Sequence, residues 1–91
     1  MKLRKGQSVV HLPPISKLDD VQVLVNDTAV VLQFVSTETM AILVEKNISG
    51  FPMHCALYRQ EGTAKARLRL HPRPDKSYEL MIRYYPPMRE L

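Results

Sequence analysis

The chain has 91 residues, of which 45% are hydrophobic and 24% charged, with a formal net charge of +4 and a single cysteine. This length and composition are typical of one globular domain with a small core. A lone cysteine excludes an internal disulfide, and no apolar run approaches the ~20 residues of a membrane-spanning helix. The start of the chain lacks the apolar region of a secretory signal, so we expect the protein in the cytoplasm or in a particle assembled there.

The first stretch, residues 1–17, is predicted to be a basic N-terminal arm, with residues 18–91 forming a single β-rich domain. The arm has four basic and no acidic side chains. Pro13 and Pro14 end any strand that begins before them, because proline lacks the backbone donor. The arm therefore either pairs at a sheet edge through residues 8–11 or has a disordered beginning.

Charge is distributed in blocks along the chain. The arm carries +4, residues 18–58 carry −4, and residues 59–83 carry +4. This pattern suits nucleic acid, subunits that stack unlike faces together, or simply solvated strand faces.

The first predicted hairpin joins residues 21–25 to residues 29–35. β-Branched residues dominate both arms, and Asn26 and Asp27 tolerate the positive φ of a two-residue turn. The resulting register places Val21 opposite Leu32 and Val23 opposite Val30. Leu24, Val31 and Val35 make the second face of this hairpin apolar too, so either the following helix or another subunit must cover it.

Residues 36–47 change to a helical period. The apolar stripe consists of Met40, Leu43, Val44 and Ile48. Ser36 or Thr37 is a suitable N-cap, and Gly50 is predicted to end the helix in the left-handed conformation. A strand through residues 41–44 is the alternative, which the capping residues disfavour.

A strand over residues 53–60 follows, with His54, Ala56 and Tyr58 on one face and Cys55 and Leu57 on the other. Residues 61–63 turn it into the next strand. Residues 66–70 and 78–85 then alternate apolar and polar side chains on both sides of a proline-containing break. This pattern predicts a second hairpin, with register pairs Leu70–Tyr78, Leu68–Leu80, Ala66–Ile82 and Arg69–Glu79.

Together these elements predict an α+β, mainly β domain. Its order is strand, strand, short helix and a three-strand meander, in a small antiparallel sheet or sandwich.

The last hairpin also carries a family resemblance. Its pattern of turn and core residues consists of Leu68, Leu70, Pro72, Pro74, Asp75, Tyr78, Leu80, Ile82, Tyr84 and Tyr85. It resembles the C-terminal hairpin of tailed-phage head–tail adaptor (connector) proteins. Gly50 and Pro52, followed by Ala56-Leu57-Tyr58, are similar to the turn and strand before that hairpin, so the similarity covers roughly residues 32–88.

The resemblance implies a non-enzymatic structural protein of a phage or prophage virion, a head–tail adaptor or a head or tail completion component. Such a protein assembles with copies of itself, as a ring, and contacts other virion proteins; its location would be the virion or the host cytoplasm. No membrane partner is expected. The motif positions implied are Gly50, Pro52, Pro72, Pro74, Asp75 and Tyr78.

No active site is evident in the sequence. His54 and Cys55 are adjacent and point to opposite faces of a strand, which rules out a simple thiolate–imidazole pair. The three histidines lack metal-ligand spacing, so neither a metal nor another cofactor is expected.

An alternative function is a small basic β-domain that binds nucleic acid. Its candidate surface is one strand face with the residues Lys65, Arg67, Arg69, Arg83 and Tyr85, because basic and aromatic side chains on a sheet bind single strands. A regulatory module that binds a host protein is a third, weaker hypothesis.

Overall fold

The structure, a computed structural model, describes residues 1–59 and 65–86, which form ten strands and one helix. The predicted turn at residues 61–63 lies outside these described residues. The elements are β1 (Lys2–Leu3), β2 (Val9–Leu12), β3 (Lys17–Val25), β4 (Thr28–Val31), β5 (Gln33–Phe34), α1 (Thr37–Val44), β6 (Ser49–Gly50), β7 (His54–Arg59), β8 (Ala66–His71), β9 (Arg73–Pro74) and β10 (Tyr78–Tyr85).

Two four-stranded sheets face each other across a single core. Sheet A has the order β1-β10-β3-β4 and is antiparallel throughout. Sheet B has the order β2-β8-β7-β5, in which only β5 runs parallel to its neighbour. A short parallel pair, β6 and β9, lies beside them. The α+β, mainly β class and the sandwich are thus confirmed.

The core is built from the inner faces of both sheets. Sheet A contributes Leu3, Val21, Val23, Tyr78 and Leu80, and sheet B contributes Val10, Leu12, Cys55, Ala66, Leu68 and Leu70. Residues 1–17, predicted as an arm, supply β1, β2 and four of the core side chains. Leu3, Val10, Leu12 and Ile15 are all buried, so this stretch is integral to the domain.

The predicted hairpin between residues 66–70 and 78–85 is wrong in its pairing. Strand β8 pairs with β2 and β7, whereas β10 pairs with β1 and β3. Leu68 therefore lies opposite Val10 and Leu57, and Leu80 lies opposite Val23.

The predicted apolar sides were nevertheless right. Leu68, Leu70 and Leu80 are buried in the shared core, and Ile82 is partly buried against it. The predicted pair of Arg69 with Glu79 does not form, because the two residues lie in different sheets. Alternation identifies the apolar face of each strand but not its partner. The apolar faces of β8 and β10 can be buried in one hairpin or, as here, in two sheets that share a core.

The two hairpins with short sequence separation formed, but the second arm of the first is shorter than the predicted residues 29–35. Residues 33–35 cross to sheet B, where Val35 N–H donates to the Cys55 carbonyl at 2.9 Å, so Val35 does not lie on the second face of this hairpin. Strands β3 and β4 pair with Val23 opposite Val30, and Leu32 N–H donates to the Val21 carbonyl at 2.9 Å. Asn26 and Asp27 have φ of 51° and 64°, the left-handed values that a two-residue turn requires. In the other hairpin, β7 and β8 pair with Leu57 opposite Leu68.

The helix begins as predicted and ends earlier. The Ser36 hydroxyl accepts a hydrogen bond from Thr39 N–H at 3.1 Å. Met40 is fully buried, but Ile48 lies beyond the helix and is exposed. The predicted left-handed cap at Gly50 is wrong: the left-handed residue is Asn47, with φ of 47°, and Gly50 lies in β6. Asparagine tolerates this conformation through local hydrogen bonding of its side chain.

The chain passes between the two sheets at both edges of the sandwich. Residues 1–12 form the edge strand of sheet A and then that of sheet B, as β1 and β2. Residues 28–34 do the same on the opposite side, as β4 and β5. The helix follows immediately and packs against β7 and β8, so its cover falls on sheet B.

Candidate interaction surfaces

The motif residues of the family resemblance meet at one corner of the fold. Gly50 lies opposite Pro74 in the parallel pairing of β6 with β9, and Asp75 N–H donates to the Gly50 carbonyl at 3.1 Å. Pro52 and Pro74 are fully buried, and an added side chain at Gly50 would meet Pro72 at 3.8 Å. This corner joins the segment after the helix to the segment between β8 and β10.

Asp75 and Tyr78 complete the same corner. The Tyr78 hydroxyl donates a hydrogen bond to the Asp75 carboxylate. Burial, then this hydrogen bond and the nearby negative charge, raise the pKa of Tyr78 to about 12. The phenol therefore stays protonated and acts as a structural donor.

The basic surface predicted from the sequence is divided between the two sheets. Arg67 and Arg69 lie on β8 in sheet B, just after Lys65, whereas Arg83 and Tyr85 lie on β10 in sheet A. The prediction of one shared face is wrong because it assumed that β8 and β10 pair. Arg83 instead lies 3.9 Å from the Asp20 carboxylate, and the Lys17 amine lies 6.0 Å from the Tyr85 ring centre.

The outer face of sheet B carries Arg67, Arg69 and the three histidines. At one end, His11, Arg67 and Tyr58 are neighbours on three adjacent strands. The Arg67 guanidinium carbon lies 5.5 Å from the centre of the Tyr58 ring, a cation–π distance. Asp and Glu are absent from the outward positions of the described strands β2, β5, β7 and β8.

A cleft of about 680 Å³ opens at this end of sheet B. We call it the basic cleft; its polar and charged lining residues are His11, Thr37, Tyr58, Arg59, Lys65 and Arg67. No carboxylate belongs to the described residues that line it. Sequence reasoning missed His11, Tyr58 and Arg59 as site residues. The signal was available, because pairing Leu57 with Leu68 also places Tyr58 opposite Arg67.

The other end of the same face holds two histidines opposite each other. His54 pairs with His71, which is only 7% exposed, and Arg69 lies two residues before His71 on the same face. Nδ1 of His54, Nε of Arg69 and both ring nitrogens of His71 have no hydrogen-bond partner within residues 1–59 and 65–86. Burial, together with the charges of His54 and Lys46, lowers the pKa of His71.

The histidine pair does not extend to a larger ligand set. Within residues 1–59 and 65–86 no group of three or more His, Cys, Asp or Glu side chains could hold a metal ion. Cys55 points into the core, away from His54, and burial raises the pKa of its thiol to about 12. A neutral, buried thiol is a poor nucleophile.

The outer face of sheet A is different in character. Leu24, Val31 and Met81 lie on it, and Val31 is 61% exposed. We call this group the apolar patch of sheet A. It continues to the edge strand β4, Thr28-Ala29-Val30-Val31, which carries no charged side chain.

No helix among the described residues is long and apolar enough to cross a membrane. Comparison of the chain with protein-family models, with curated proteins and with solved structures finds no match in any of the three.

Proposed function

We propose that this chain is a non-enzymatic assembly protein, a head–tail adaptor or a head or tail completion component of a tailed phage or prophage virion. In this role it binds copies of itself and other virion proteins. The proposal rests on the resemblance of residues 32–88 and on the apolar patch of sheet A.

The main support for self-assembly is the apolar patch of sheet A. The sequence left two ways to cover the second face of the β3–β4 hairpin: the helix or another subunit. Helix α1 packs against β7 and β8, on the other sheet. Val31 on β4 is 61% exposed and Met81 on β10 is 41% exposed, and the two lie on either side of Gln22 on β3. A second protein surface is the remaining way to remove this patch from water.

The edge beside the patch favours the same kind of partner. Within the described part of the chain, strand β4 pairs with β3 on one side only, and exposed strand edges are usually protected by lysine, proline or a bulge. Thr28-Ala29-Val30-Val31 has none of the protecting residues. An added strand or a packed subunit at this edge would bury both the free backbone groups and Val31.

The motif corner and the charge pattern are compatible with this role. Gly50, Pro74, Asp75 and Tyr78 have structural partners, and Pro52 and Pro72 are buried, as expected of positions that shape a scaffold. Opposite charges in successive blocks of the chain suit a heterologous, head-to-tail contact, which closes into a ring when the rotation allows.

Sedimentation velocity at several concentrations tests self-association. We expect oligomers that grow with concentration and an oligomer fraction that falls strongly in Val31→Lys, because a lysine would have to be desolvated in the contact. Ile42→Lys is the matched control: Ile42 is 62% exposed, but it lies on helix α1. A wild type and a Val31→Lys variant with identical sedimentation would contradict the role of the patch.

A second experiment tests the virion assignment itself. Deleting the coding sequence from the phage or prophage that carries it should yield filled heads and free tails that do not join, and mass spectrometry should find the chain in wild-type particles. Normal infectious particles without the chain would overturn the assignment.

A further inference from the structure

We infer that the basic cleft of sheet B binds a segment of single-stranded nucleic acid, with the backbone phosphates on its arginines and a base on Tyr58. This inference is independent of the proposed assembly role, which depends on the opposite sheet. The cleft shares Lys65 and Arg67 with the surface that the sequence predicted, but it adds His11, Tyr58 and Arg59 and excludes Arg69, Arg83 and Tyr85.

The two arginines of the cleft form no ion pair with a described carboxylate. The ion pairs among the described residues are Met1 with Glu79 and Arg83 with Asp20, both on sheet A. Arg59 and Arg67, by contrast, are exposed and form neither of these pairs. Exposed arginines in a cleft attract polyanions, because phosphates displace the counterions held there.

Arg59 is held in place by the backbone. Its Nη2 donates to the Ser16 carbonyl at 3.0 Å, and its Nη1 lies 3.4 Å from the Ile15 carbonyl. These contacts keep the charge of the guanidinium while fixing its position at the rim of the cleft. A positioned arginine loses less side-chain entropy on binding a phosphate than a free one.

Tyr58 supplies the planar surface. Its ring is half-buried on the cleft wall, with Arg67 against it at 5.5 Å. Bases stack on tyrosine and on guanidinium planes, and such stacking tolerates any sequence. Leu12, Leu57 and Ala66 add apolar wall between the charges.

The size and shape of the site favour a single strand. About 680 Å³ lies in the range of small-ligand clefts, which suits an unstacked base with its phosphate rather than a duplex. An acidic peptide would satisfy the arginines but offers no base-like plane to Tyr58. The combination of charge and aromatic ring therefore points to nucleic acid.

Fluorescence anisotropy with a labelled twelve-nucleotide oligo(dT) tests the inference in low and moderate salt. We expect binding by the wild type that weakens as salt rises. Tyr58→Leu should weaken it by roughly 5- to 150-fold, because stacking is worth about 1–3 kcal/mol per base. Arg67→Gln should reduce the slope of log K against log salt by about 0.7, the loss of one phosphate contact.

Arg83→Gln is the matched control, because it removes the same charge from an exposed side chain on sheet A. It should bind as the wild type does. Equal weakening by Arg83→Gln and Arg67→Gln, or no binding by the wild type in low salt, would overturn the inference. Binding of poly-glutamate as tight as that of oligo(dT) would overturn it in favour of an acidic protein partner.

The same titration followed by ¹⁵N NMR on the wild type avoids any dependence on variant folding. Amide shifts should move at residues 58, 59 and 67 and stay fixed at residue 83. Shifts confined to sheet A would contradict the assignment of the cleft.

Discussion

The outer faces of sheets A and B differ in their charge and in whether a helix packs on them. Sheet B is basic and lies partly under helix α1, whereas sheet A exposes Val31 and Met81 and has mixed charges, with Arg83 beside Asp20. The cause lies in the connection. Two residues separate β5, at the edge of sheet B, from the start of α1, so the helix has no length in which to reach the other sheet.

Because the one described helix packs on sheet B, the two sheets expose different kinds of surface. The covered sheet keeps a cleft beside the helix, suited to a ligand that inserts between side chains. The uncovered sheet keeps an exposed apolar patch and, among the described residues, an unpaired edge at β4. Three properties can be measured: whether the two sheets share one core, whether helix α1 protects sheet B, and whether sheet B accounts for the pH dependence of stability.

The largest effect is expected from truncation of the shared core. Leu68→Ala in sheet B and Leu80→Ala in sheet A should each lower the free energy of unfolding by about 2–5 kcal/mol, because both side chains are fully buried in the same cluster. Urea denaturation measures this, with Val31→Ala as an exposed control expected to change stability little. A stable Leu80→Ala variant beside a destabilised Leu68→Ala would show that the sheets do not share a core.

A smaller effect is expected from the helix cap. Ser36→Ala removes the acceptor of Thr39 N–H and should cost about 0.5–2 kcal/mol in urea denaturation. Hydrogen exchange should rise in α1 and in the part of β7 and β8 beneath it, because that is where the helix packs. Thr37→Ala, just inside the helix, is the control. Faster hydrogen exchange on sheet A instead of sheet B would contradict the packing of helix α1 on β7 and β8.

The smallest effect is a pH dependence confined to sheet B. The pKa of His71 is lowered from 6.5 by burial, by His54 and by Lys46, so the folded state binds its proton less readily than the unfolded state. Stability is therefore fully present above the unfolded pKa and falls as pH drops through about 6.5. Unfolding between pH 7.5 and 5.5 measures it, a range above the usual carboxylate pKa values.

His71→Gln should flatten this dependence, whereas His11→Gln, an exposed position on β2, should leave it unchanged. Identical slopes for the wild type and His71→Gln would assign the effect to other groups.

Local features of the fold could be predicted from the sequence. The β3–β4 register, the turn at Asn26 and Asp27, the Ser36 cap and the apolar sides of β7, β8 and β10 all agree with the structure. Each depends on residues close together in the chain, where covalent geometry, φ preferences and alternation leave few alternatives. Three of the motif positions, Gly50, Pro74 and Tyr78, lie in strands rather than in turns, and Gly50 pairs with Pro74.

The pairing of distant strands was decided by the tertiary structure alone. Alternation in residues 66–70 and 78–85 specifies which side is apolar, but a β-strand with one apolar side can pair with any partner whose side matches. The chain instead places β8 between β2 and β7, and β10 between β1 and β3. The candidate surfaces follow from that choice, because moving β10 to sheet A separates Arg83 from Arg67 and leaves Tyr58 and His11 as the neighbours of Arg67. Periodicity is a property of each strand, whereas strand order depends on how all the apolar faces can be buried together, and this is why the sequence determined the first and the folded structure the second.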